Sequence, residues 1–421
     1  MSFPAYPSYK DSGFGWLGAI PSDWQVQKFR HTFRESEEKI EGEVVGPMLS
    51  VSGYRGIEVK VYDDENRRRS DEDLIGYRIV RPGQLVVNTM WLNYAGLGVS
   101  GHEGHVSPAY RAYGFADENT DRRFIHHLMR SSAYVLAYTQ LLTGIRPNSL
   151  QMSRADLMDF PIILPPLPAQ RAIAAFLDRE TAKIDALIEE QRHLIALLKE
   201  KRHAVISHAV SKGLDPHAPM KDSGIKWLGE VPVHWNIKQL KRLVRFQRGH
   251  DLPSNSRADG QVPVIASGGP IGWHDQAIGS GPAIVTGRYG TVGTFLLIDG
   301  PFWPLNTALY SIDLAGYPAF IRHALESIGG LFLANAAKSA VPGIDRNDVH
   351  PLPVAVPPID EQVAIANQID IISERFTASA ATAEAAIALM NERRDALISA
   401  AVTGKIDVRS AVAAEQDRNA A

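Results

Sequence analysis

Two long stretches of the chain carry hydrophobic residues at the spacing of an amphipathic helix. Between Gln170 and Val205 the large apolar side chains recur three, four or seven positions apart, as one face of a helix requires. The stretch from Ile365 to Leu397 repeats this pattern. Prolines precede both stretches and a glycine follows each of them. The pattern predicts helices over 169–212 and 361–403, each much longer than a helix inside one domain needs to be.

An apolar stripe of this length has to be covered, and the other long helix is the best available partner. The second helix is rich in alanine between Ala378 and Ala386, so it would offer small side chains to the bulkier Leu and Ile side chains of the first. Because the two helices belong to a duplicated sequence, we expect an antiparallel pair with a pseudo-two-fold axis near its middle. The alternative is two independent helices, each packed on its own domain.

The opening of the chain recurs in its second half. Lys10–Trp24 and Lys221–Trp235 are identical at 9 of 15 positions, at a spacing of 211 residues. The two prolines and the glutamine of Pro165–Gln170 recur 192 residues later in Pro357–Gln362. The chain therefore consists of two copies of one plan, in which a shared opening and a shared close enclose a variable body. The predicted boundaries are 1–168 and 213–360 for two globular domains, 169–212 and 361–403 for the helices, and 404–421 for a tail.

The variable bodies combine short strands with helices. Gln84–Asn88, Ala283–Thr286 and Thr294–Ile298 are short apolar runs near glycine and proline, which is typical of strands, whereas Phe124–Leu142 and Tyr317–Ile328 predict helices. The predicted fold class is therefore α+β. It consists of two globular domains in a pseudo-two-fold arrangement, joined by two long antiparallel coiled-coil helices.

Composition limits the class of protein. The chain has 421 residues, of which 45% are hydrophobic and 22% charged, enough to build two or more cores. It contains no cysteine, which excludes disulfides and thiolate metal sites. It has no apolar run of membrane-spanning length, and its first residues do not resemble a secretion signal. We therefore expect a cytoplasmic protein that makes no membrane contact.

Charge is nearly balanced in both bodies. Residues 1–168 contain 18 Lys and Arg against 20 Asp and Glu, and residues 211–360 contain 13 against 12. A nucleic-acid surface on either body would therefore consist of a local patch, or a partner would add the positive charge.

Signatures of catalysis are absent from the sequence. Gly96–Gly101 has the spacing GxGxxG, but histidines and a proline follow where a helix should begin, so we expect a loop. There is no Walker phosphate-binding motif and no Asn-Pro-Pro-Tyr motif of the kind that adenine methyltransferases use. His102 and His105 lack a clear third ligand, so no metal site is predicted. These absences favour a protein that recognises a ligand over an enzyme.

Basic and aromatic residues point to nucleic-acid binding. The cations between Lys238 and Arg248 lie three and four residues apart, so a helix here would present them to phosphates as one stripe. An ordinary solvated helix face is the alternative. Arginine and asparagine in the loops suit guanine and adenine edges, although arginines in such turns are also common structural residues. The candidate DNA-binding residues are Lys28, Arg30, Arg34, Tyr54, Arg55, Asn88, Trp91, Asn93, Arg146 and Asn148 in the first body, and Lys238, Lys241, Arg242, Arg245, Arg248, Ser267, Arg288, Tyr289, Asn306 and Thr307 in the second.

The layout resembles the specificity subunit of Type I restriction-modification enzymes. The resemblance rests on the two openings, on the helix starts Leu164–Gln170 and Val356–Gln362, and on the close Ala400–Asp407. It covers essentially the whole chain. It implies two target-recognition domains, each followed by one long helix of a coiled-coil spacer.

The same resemblance implies a subunit without catalytic activity. Each domain would bind one half of a split site in double-stranded DNA, and the coiled coil would set the distance between the halves. The partners would be two modification subunits, which carry S-adenosylmethionine, and two ATP-dependent restriction subunits with Mg; this chain would hold no cofactor. The alternative is a non-enzymatic coiled-coil scaffold whose two domains bind protein or carbohydrate.

Overall fold

The computed structural model describes residues 3–53, 55–62, 70, 72–144, 150–337 and 343–410. The chain divides into two compact units. The first unit comprises Met1–Glu190 and Ala386–Ala421, and the second comprises Gln191–Ala385. Each long helix is therefore shared between the units, and the predicted domains 1–168 and 213–360 lie within one unit each.

Most strands are short, and two of the helices are very long. The strands of the first unit are β1 (Tyr9–Asp11), β2 (Ala19–Pro21), β3 (Gln25–Lys28), β4 (Phe33–Glu35), β5 (Leu49–Ser52), β6 (Gly56–Val59), β7 (Arg78–Val80), β8 (Leu85–Val87), β9 (Leu97–Val99), β10 (Gly104–Val106), β11 (Arg111–Phe115) and β12 (Pro161–Leu164). The strands of the second unit are β13 (Met220–Asp222), β14 (Glu230–Pro232), β15 (Asn236–Gln239), β16 (Val244–Arg248), β17 (Val262–Ala266), β18 (Gly269–His274), β19 (Gly279–Ser280), β20 (Ala283–Gly287), β21 (Phe295–Ile298), β22 (Pro301–Pro304), β23 (Ala308–Leu314) and β24 (Pro353–Val356). The helices are α1 (Phe29–Thr32), α2 (Arg122–Arg130), α3 (Ser132–Leu141), α4 (Arg154–Asp159), α5 (Leu167–Lys212), α6 (Pro318–Ser327), α7 (Gly329–Ala336), α8 (Arg346–Val349) and α9 (Ile359–Val402).

The first unit is built around an antiparallel sheet of order β4-β11-β8-β9. A separate ladder pairs β3 with β12, so the start of the body is joined to the residues that precede α5. The main core includes Phe124 of α2, Leu177 of α5 and Val402 of α9. Both long helices therefore contribute to the core of this unit.

The second unit repeats this plan. Its central antiparallel sheet has the order β16-β23-β20-β21, and β15 pairs with β24 ahead of α9. The core contains Phe320 of α6, Ile206 of α5 and Ile369 of α9. The second unit adds a mixed sheet of order β18-β17-β22-β19. The α+β fold class and the two long helices that the sequence predicts are thus confirmed.

The two long helices run in opposite directions within the first unit. Asp185, towards the middle of α5, forms an ion pair of 3.2 Å with Arg394 of α9. Leu177, earlier in α5, shares a core with Val402, later in α9. Residue numbers therefore increase along one helix as those of the contacting residues decrease along the other, as an antiparallel pair requires.

The repeated opening motif forms a hairpin in each unit, β1 with β2 and β13 with β14. Trp24 and Trp235 close these motifs and are fully buried. Each ring lies against the glycine that follows a long helix, Gly404 for Trp24 and Gly213 for Trp235. Both glycines have positive φ angles, of 73° and 80°, which glycine adopts without strain at a helix end. The tryptophans that close the openings therefore anchor the helix ends.

The helix predicted over Lys238–Arg248 is wrong. This segment forms β15, a 3-10 turn at Leu240–Arg242 and then β16. Val244 and Phe246 are buried on either side of exposed Arg245, which is the alternation of a strand. Backbone pairing of β16 with β23 decides the conformation. The counterpart Lys28–Arg34 likewise passes from β3 through the short α1 into β4.

Two other local expectations change. The helix predicted over Phe124–Leu142 is divided into α2 and α3, because the backbone of Ser131 is extended, with φ −64° and ψ 150°. The loop predicted at Gly96–Gly101 is wrong in part, since β9 pairs there with β8. A Cβ on Gly96 would lie 2.5 Å from the carbonyl oxygen of Trp91, so this glycine permits a close turn.

The strands predicted at 84–88, 283–286 and 294–298 are confirmed by β8, β20 and β21, and the helix at 317–328 by α6. Within the described ranges, no helix is both long and apolar enough to cross a membrane.

Candidate nucleic-acid interface

Several candidate residues of the second body meet at one end of its central sheet. Strands β16 and β20 end where β23 begins, because both are antiparallel to β23. The end of β17 joins them through a hydrogen bond of 2.8 Å from the Leu305 amide to the Ile265 carbonyl. The candidates in this group are Arg248, Ser267, Arg288, Tyr289, Asn306 and Thr307.

Arg288 and Asn306 hold the loops of this group together. The Arg288 guanidinium donates hydrogen bonds to the carbonyls of Asn306, at 3.2 Å, and Ile344, at 3.4 Å. It also lies over the ring of Tyr289, 5.1 Å from the centroid. The Asn306 amide donates to the carboxylate of Asp251. Tyr289 is 41% exposed, and Arg248 at the end of β16 is exposed as well, so these two side chains of the group are accessible to solvent.

A separate basic patch lies near the other end of β16. Its members are Lys241, Arg245 and Arg346, whose side chains are exposed. All three lower the pKa of His350, after the larger effect of burial. His350 accepts a hydrogen bond of 3.0 Å at Nε2 from the Phe246 amide, which suits the neutral ring. Arg346 is not among the residues predicted from the sequence. The predicted residues Lys238 and Arg242, both exposed, belong to the same segment as the patch.

The basic patch has no ion-pair partner in the part of the chain that the structure describes, whereas its counterpart in the first body does. The spacings of 211 and 192 residues make Arg30, Arg34 and Arg154 the equivalents of the patch. Arg30 is paired with Asp159, and Arg154 with Glu35 at 3.0 Å. Arg34 is exposed on β4. Two of the three positions therefore have a carboxylate partner in the first body.

Glu35 is the centre of a second cluster of arginines. Besides Arg154 it pairs with Arg111 at 3.3 Å and Arg78 at 3.8 Å. Burial lowers the pKa of Arg78, and the neighbouring charge of Arg111 lowers it further. Three cations share one carboxylate, so the cluster keeps net positive charge. None of these three arginines is among the residues predicted from the sequence, although Arg154 and Arg346 are related by the 192-residue spacing.

The loop after β8 presents two aromatic rings. Asn88 is buried, and its side-chain oxygen accepts a hydrogen bond of 3.1 Å from the Met90 amide. Leu92 is fully buried and anchors the loop. Trp91 and Tyr94 remain 57% and 64% exposed, with ring centroids 5.8 Å apart. Asn88 therefore shapes the loop, and the aromatic rings are its accessible groups; Asn93 lies half-buried between them.

The turn between β5 and β6 is held beside this loop by Arg130. Its guanidinium donates to the carbonyls of Ser52 and Gly53, at 3.2 and 2.8 Å, and to those of Ala95 and Leu97, at 3.1 and 2.6 Å. Arg55 follows this turn, is 73% exposed and pairs with Glu58 at 3.2 Å. Lys28 lies at the end of β3, outside this turn. Its side chain is half-exposed and pairs with Asp159 at 3.0 Å. The candidates Tyr54, Arg146 and Asn148 lie outside the described residues.

Comparison with known proteins gives relatives across nearly the whole chain, although no family model matches it. A protein of Methanocaldococcus jannaschii, described as a type I restriction enzyme MjaX specificity subunit, is 22% identical over 96% of this chain and 98% of its own length. The type I restriction enzyme EcoKI specificity subunit of Escherichia coli K12 is 24% identical over 67% of this chain and 65% of its own length. The resemblance to specificity subunits that the repeated motifs indicate is thus confirmed.

The fold is also found among solved structures. One chain, from a structure concerned with complex assembly and conformational transition of the type I R-M system, superposes with a TM-score of 0.64 at 15% identity. The match covers 91% of this chain and 98% of that one. The likeness concerns the fold and extends over both units.

Proposed function

We propose that this chain, a relative of type I specificity subunits along nearly its full length, is the DNA-recognition subunit of a Type I restriction-modification complex. Each body binds one half of a bipartite sequence, and the long helices set the gap between the halves. The chain itself carries no catalytic site. It docks two modification subunits, which methylate the DNA, and through them two restriction subunits.

The observation that carries this proposal is the identical mounting of two unlike bodies. Gln170 of α5 accepts a hydrogen bond of 2.8 Å from the amide of Asp121, the residue that caps α2. Gln362 of α9 accepts one of 2.8 Å from the amide of Tyr317, which caps α6. Each glutamine also donates to the proline carbonyl five positions earlier, at 2.8 and 2.9 Å. Two recognition domains that must each keep a fixed orientation on a long helix need the same attachment to it. Their outer surfaces are free to differ.

The outer surfaces have the chemistry that DNA requires. The basic patch of the second body suits phosphate oxygens, which fix the position of a protein on the duplex. Exposed Trp91, Tyr94 and Tyr289 lie on loops tied down by backbone hydrogen bonds, where they can contact bases without a large ordering cost. Phosphate contacts would supply affinity and the loops would supply sequence discrimination.

Exchange of one body tests independent recognition. Residues 25–160 are replaced by the corresponding segment of another specificity subunit, and the chain is assembled with its modification subunits. Sequencing of methylated DNA should show a new sequence in one half-site, with the other half-site and the gap unchanged. A change in both half-sites would contradict the proposal. The matched experiment exchanges the second body and should alter the other half-site.

Shortening of the helices tests the role of the spacer. Deletion of seven residues from both α5 and α9 removes about two helical turns while keeping each apolar stripe in phase. The gap between the half-sites should change and both half-sequences should persist. As a control, seven exposed helix residues are substituted without any change of length. An altered half-sequence at an unaltered gap would refute this role.

A further inference from the structure

The first unit contains a cavity of about 470 Å³ between its body and the long helices. The body contributes Arg55, Arg122 and Arg123, α5 contributes Asp178, and α9 contributes Arg394. All of these residues belong to the first unit. The volume is in the range of small-molecule sites, about 300–1,000 Å³.

The charges around the cavity do not balance. Asp178 is shared by His127, at 2.7 Å, and Arg123, at 3.1 Å. Arg394 is paired with Asp185. Arg122 is exposed, and no carboxylate of the described chain lies within ion-pair distance of it. Four arginines and two aspartates line the site, which leaves an excess of positive charge even though Arg55 pairs with Glu58 outside the lining.

The lining also contains a neutral donor, His126, and the charge of Arg130, which is not part of the lining, acts on it. Arg130 is held by backbone carbonyls, and burial lowers its pKa to about 10, with a smaller effect of Arg394. His126 lines the cavity, and burial together with the charge of Arg130 lowers its pKa to about 3. Its Nδ1 accepts a hydrogen bond of 3.3 Å from the Val99 amide. The neutral ring therefore carries its proton on Nε2, where it can donate to an anion.

The equivalent corner of the second unit contains an internal carboxylate. His323 bonds to Asp370 at 2.8 Å, as His127 bonds to Asp178. Three positions after His323 lies Glu326, which occupies the place of Arg130. Glu326 pairs with Arg202 at 3.2 Å and with His323 at 3.2 Å.

Arg202 is in turn the equivalent of Arg394, at the spacing of 192 residues. The two equivalent arginines therefore have different neighbours. Arg202 pairs with Glu326 in the second unit, whereas the charge of Arg394 acts on Arg130 in the first. The carboxylates of Asp178 and Asp185 compensate part of this charge, and the cavity is open to an anion from outside.

We propose that this cavity binds a phosphate group, carried by a small phosphate ester or by the DNA backbone. Guanidinium groups match phosphate oxygens in geometry and charge, and the fork of Arg122 is available for two parallel hydrogen bonds. The cavity has room for the remainder of an ester beside the phosphate. This inference does not depend on the proposed function, since it rests on the first unit alone.

The test uses the full chain and titration calorimetry with inorganic phosphate, adenosine monophosphate and adenosine. Phosphate and the monophosphate should bind, and adenosine should not. Arg122→Gln should weaken binding at least tenfold, and Arg122→Lys should restore part of it. Because Arg122 is exposed and its guanidinium lies 5.8 Å from the centroid of the Phe115 ring, its loss should lower the thermal unfolding temperature only slightly. Arg375→Gln, which removes an exposed arginine from α9 in the second unit, is the matched control and should bind as the parent does.

A duplex DNA arm separates the two sources of phosphate. A monophosphate that binds in an Arg122-dependent way identifies a small ester as the ligand. If duplex DNA binds in an Arg122-dependent way and adenosine monophosphate does not bind, the ligand is a phosphate of the DNA backbone. The proposal is overturned when no phosphate ligand shows dependence on Arg122, or when adenosine binds as well as its monophosphate.

Discussion

Lys241 of the second body stands at the position that Arg30 occupies in the first, and the two cations differ in their surroundings. Arg30 shares the carboxylate of Asp159 with Lys28. In the second body Pro351 replaces this aspartate, and Lys241 has no ion pair among the residues the structure describes. The two copies therefore share the cation but not its counter-ion. The second body is left with more positive charge available for an external anion.

This asymmetry predicts unequal salt dependence. In the assembled complex, Lys241→Gln and Arg245→Gln should each reduce the slope of log Kd against log salt by about 0.9 if one phosphate contact is lost. Arg30→Gln is the matched control and should change the slope less, because Arg30 is already paired with Asp159. Equal changes in the two bodies would show that the ion pair with Asp159 does not screen Arg30 from DNA.

Trp91 is expected to contribute to DNA affinity and not to stability. Its side chain is 57% exposed, so Trp91→Ala removes little buried surface. Binding of the assembled complex should weaken tenfold or more, equivalent to about 1.4 kcal/mol. Filter-binding titrations measure the affinity, and urea unfolding checks the fold. Leu136→Ala removes another exposed apolar side chain from the same body and should leave affinity unchanged. A Trp91→Ala variant with parental affinity would exclude this loop from the interface.

The long helices could be predicted closely because their signal is local. Apolar spacing, preceding prolines and following glycines place the starts at 169 and 361, and the structure begins the helices at Leu167 and Ile359. The segment Lys238–Arg248 shows the limit of the same reasoning. Cations three and four residues apart occur equally in a strand, a turn and a second strand. The deciding partners, β23 and β24, lie far along the chain, outside any local pattern.

The histidine–aspartate pair in each unit could not be predicted from the sequence for a related reason. His127 and His323 are 196 residues apart, whereas their partners Asp178 and Asp370 are 192 apart, so no single repeat spacing joins the pairs. Each pair depends on the packing of α2 or α6 against a long helix, which the structure provides. Arg346, in contrast, could have been found, because it repeats Arg154 at the spacing that relates the helix starts.

Gln362 is expected to stabilise the second unit. Gln362→Ala would leave the Tyr317 amide and the Pro357 carbonyl without their partner in a buried place. Loss of such a partner costs about 1–3 kcal/mol, so the free energy of unfolding should decrease by at least about 1 kcal/mol. Urea unfolding measures it. Gln368→Ala, an exposed glutamine of the same helix, is the control and should change stability little. A parental unfolding midpoint for Gln362→Ala would refute the mounting role.

The pH dependence of stability should reveal His126. Burial, and then the charges of Arg130 and His127, lower its pKa from 6.5 to about 3 in the folded protein, against a smaller opposing effect of Asp178. The unfolded chain therefore binds a proton more readily, so this contribution to stability is complete above pH 6.5 and is lost as the pH falls towards 3.

Within that window each pH unit should cost up to about 1.4 kcal/mol. Urea unfolding of the full chain at pH 7 and pH 5 measures the loss. His126→Gln keeps an acceptor for the Val99 amide but does not titrate, so its stability should fall less between these two values. His193→Gln removes an exposed histidine of α5 and should retain the parental dependence. If His126→Gln loses as much stability as the parent on acidification, the protonation of another group governs the transition.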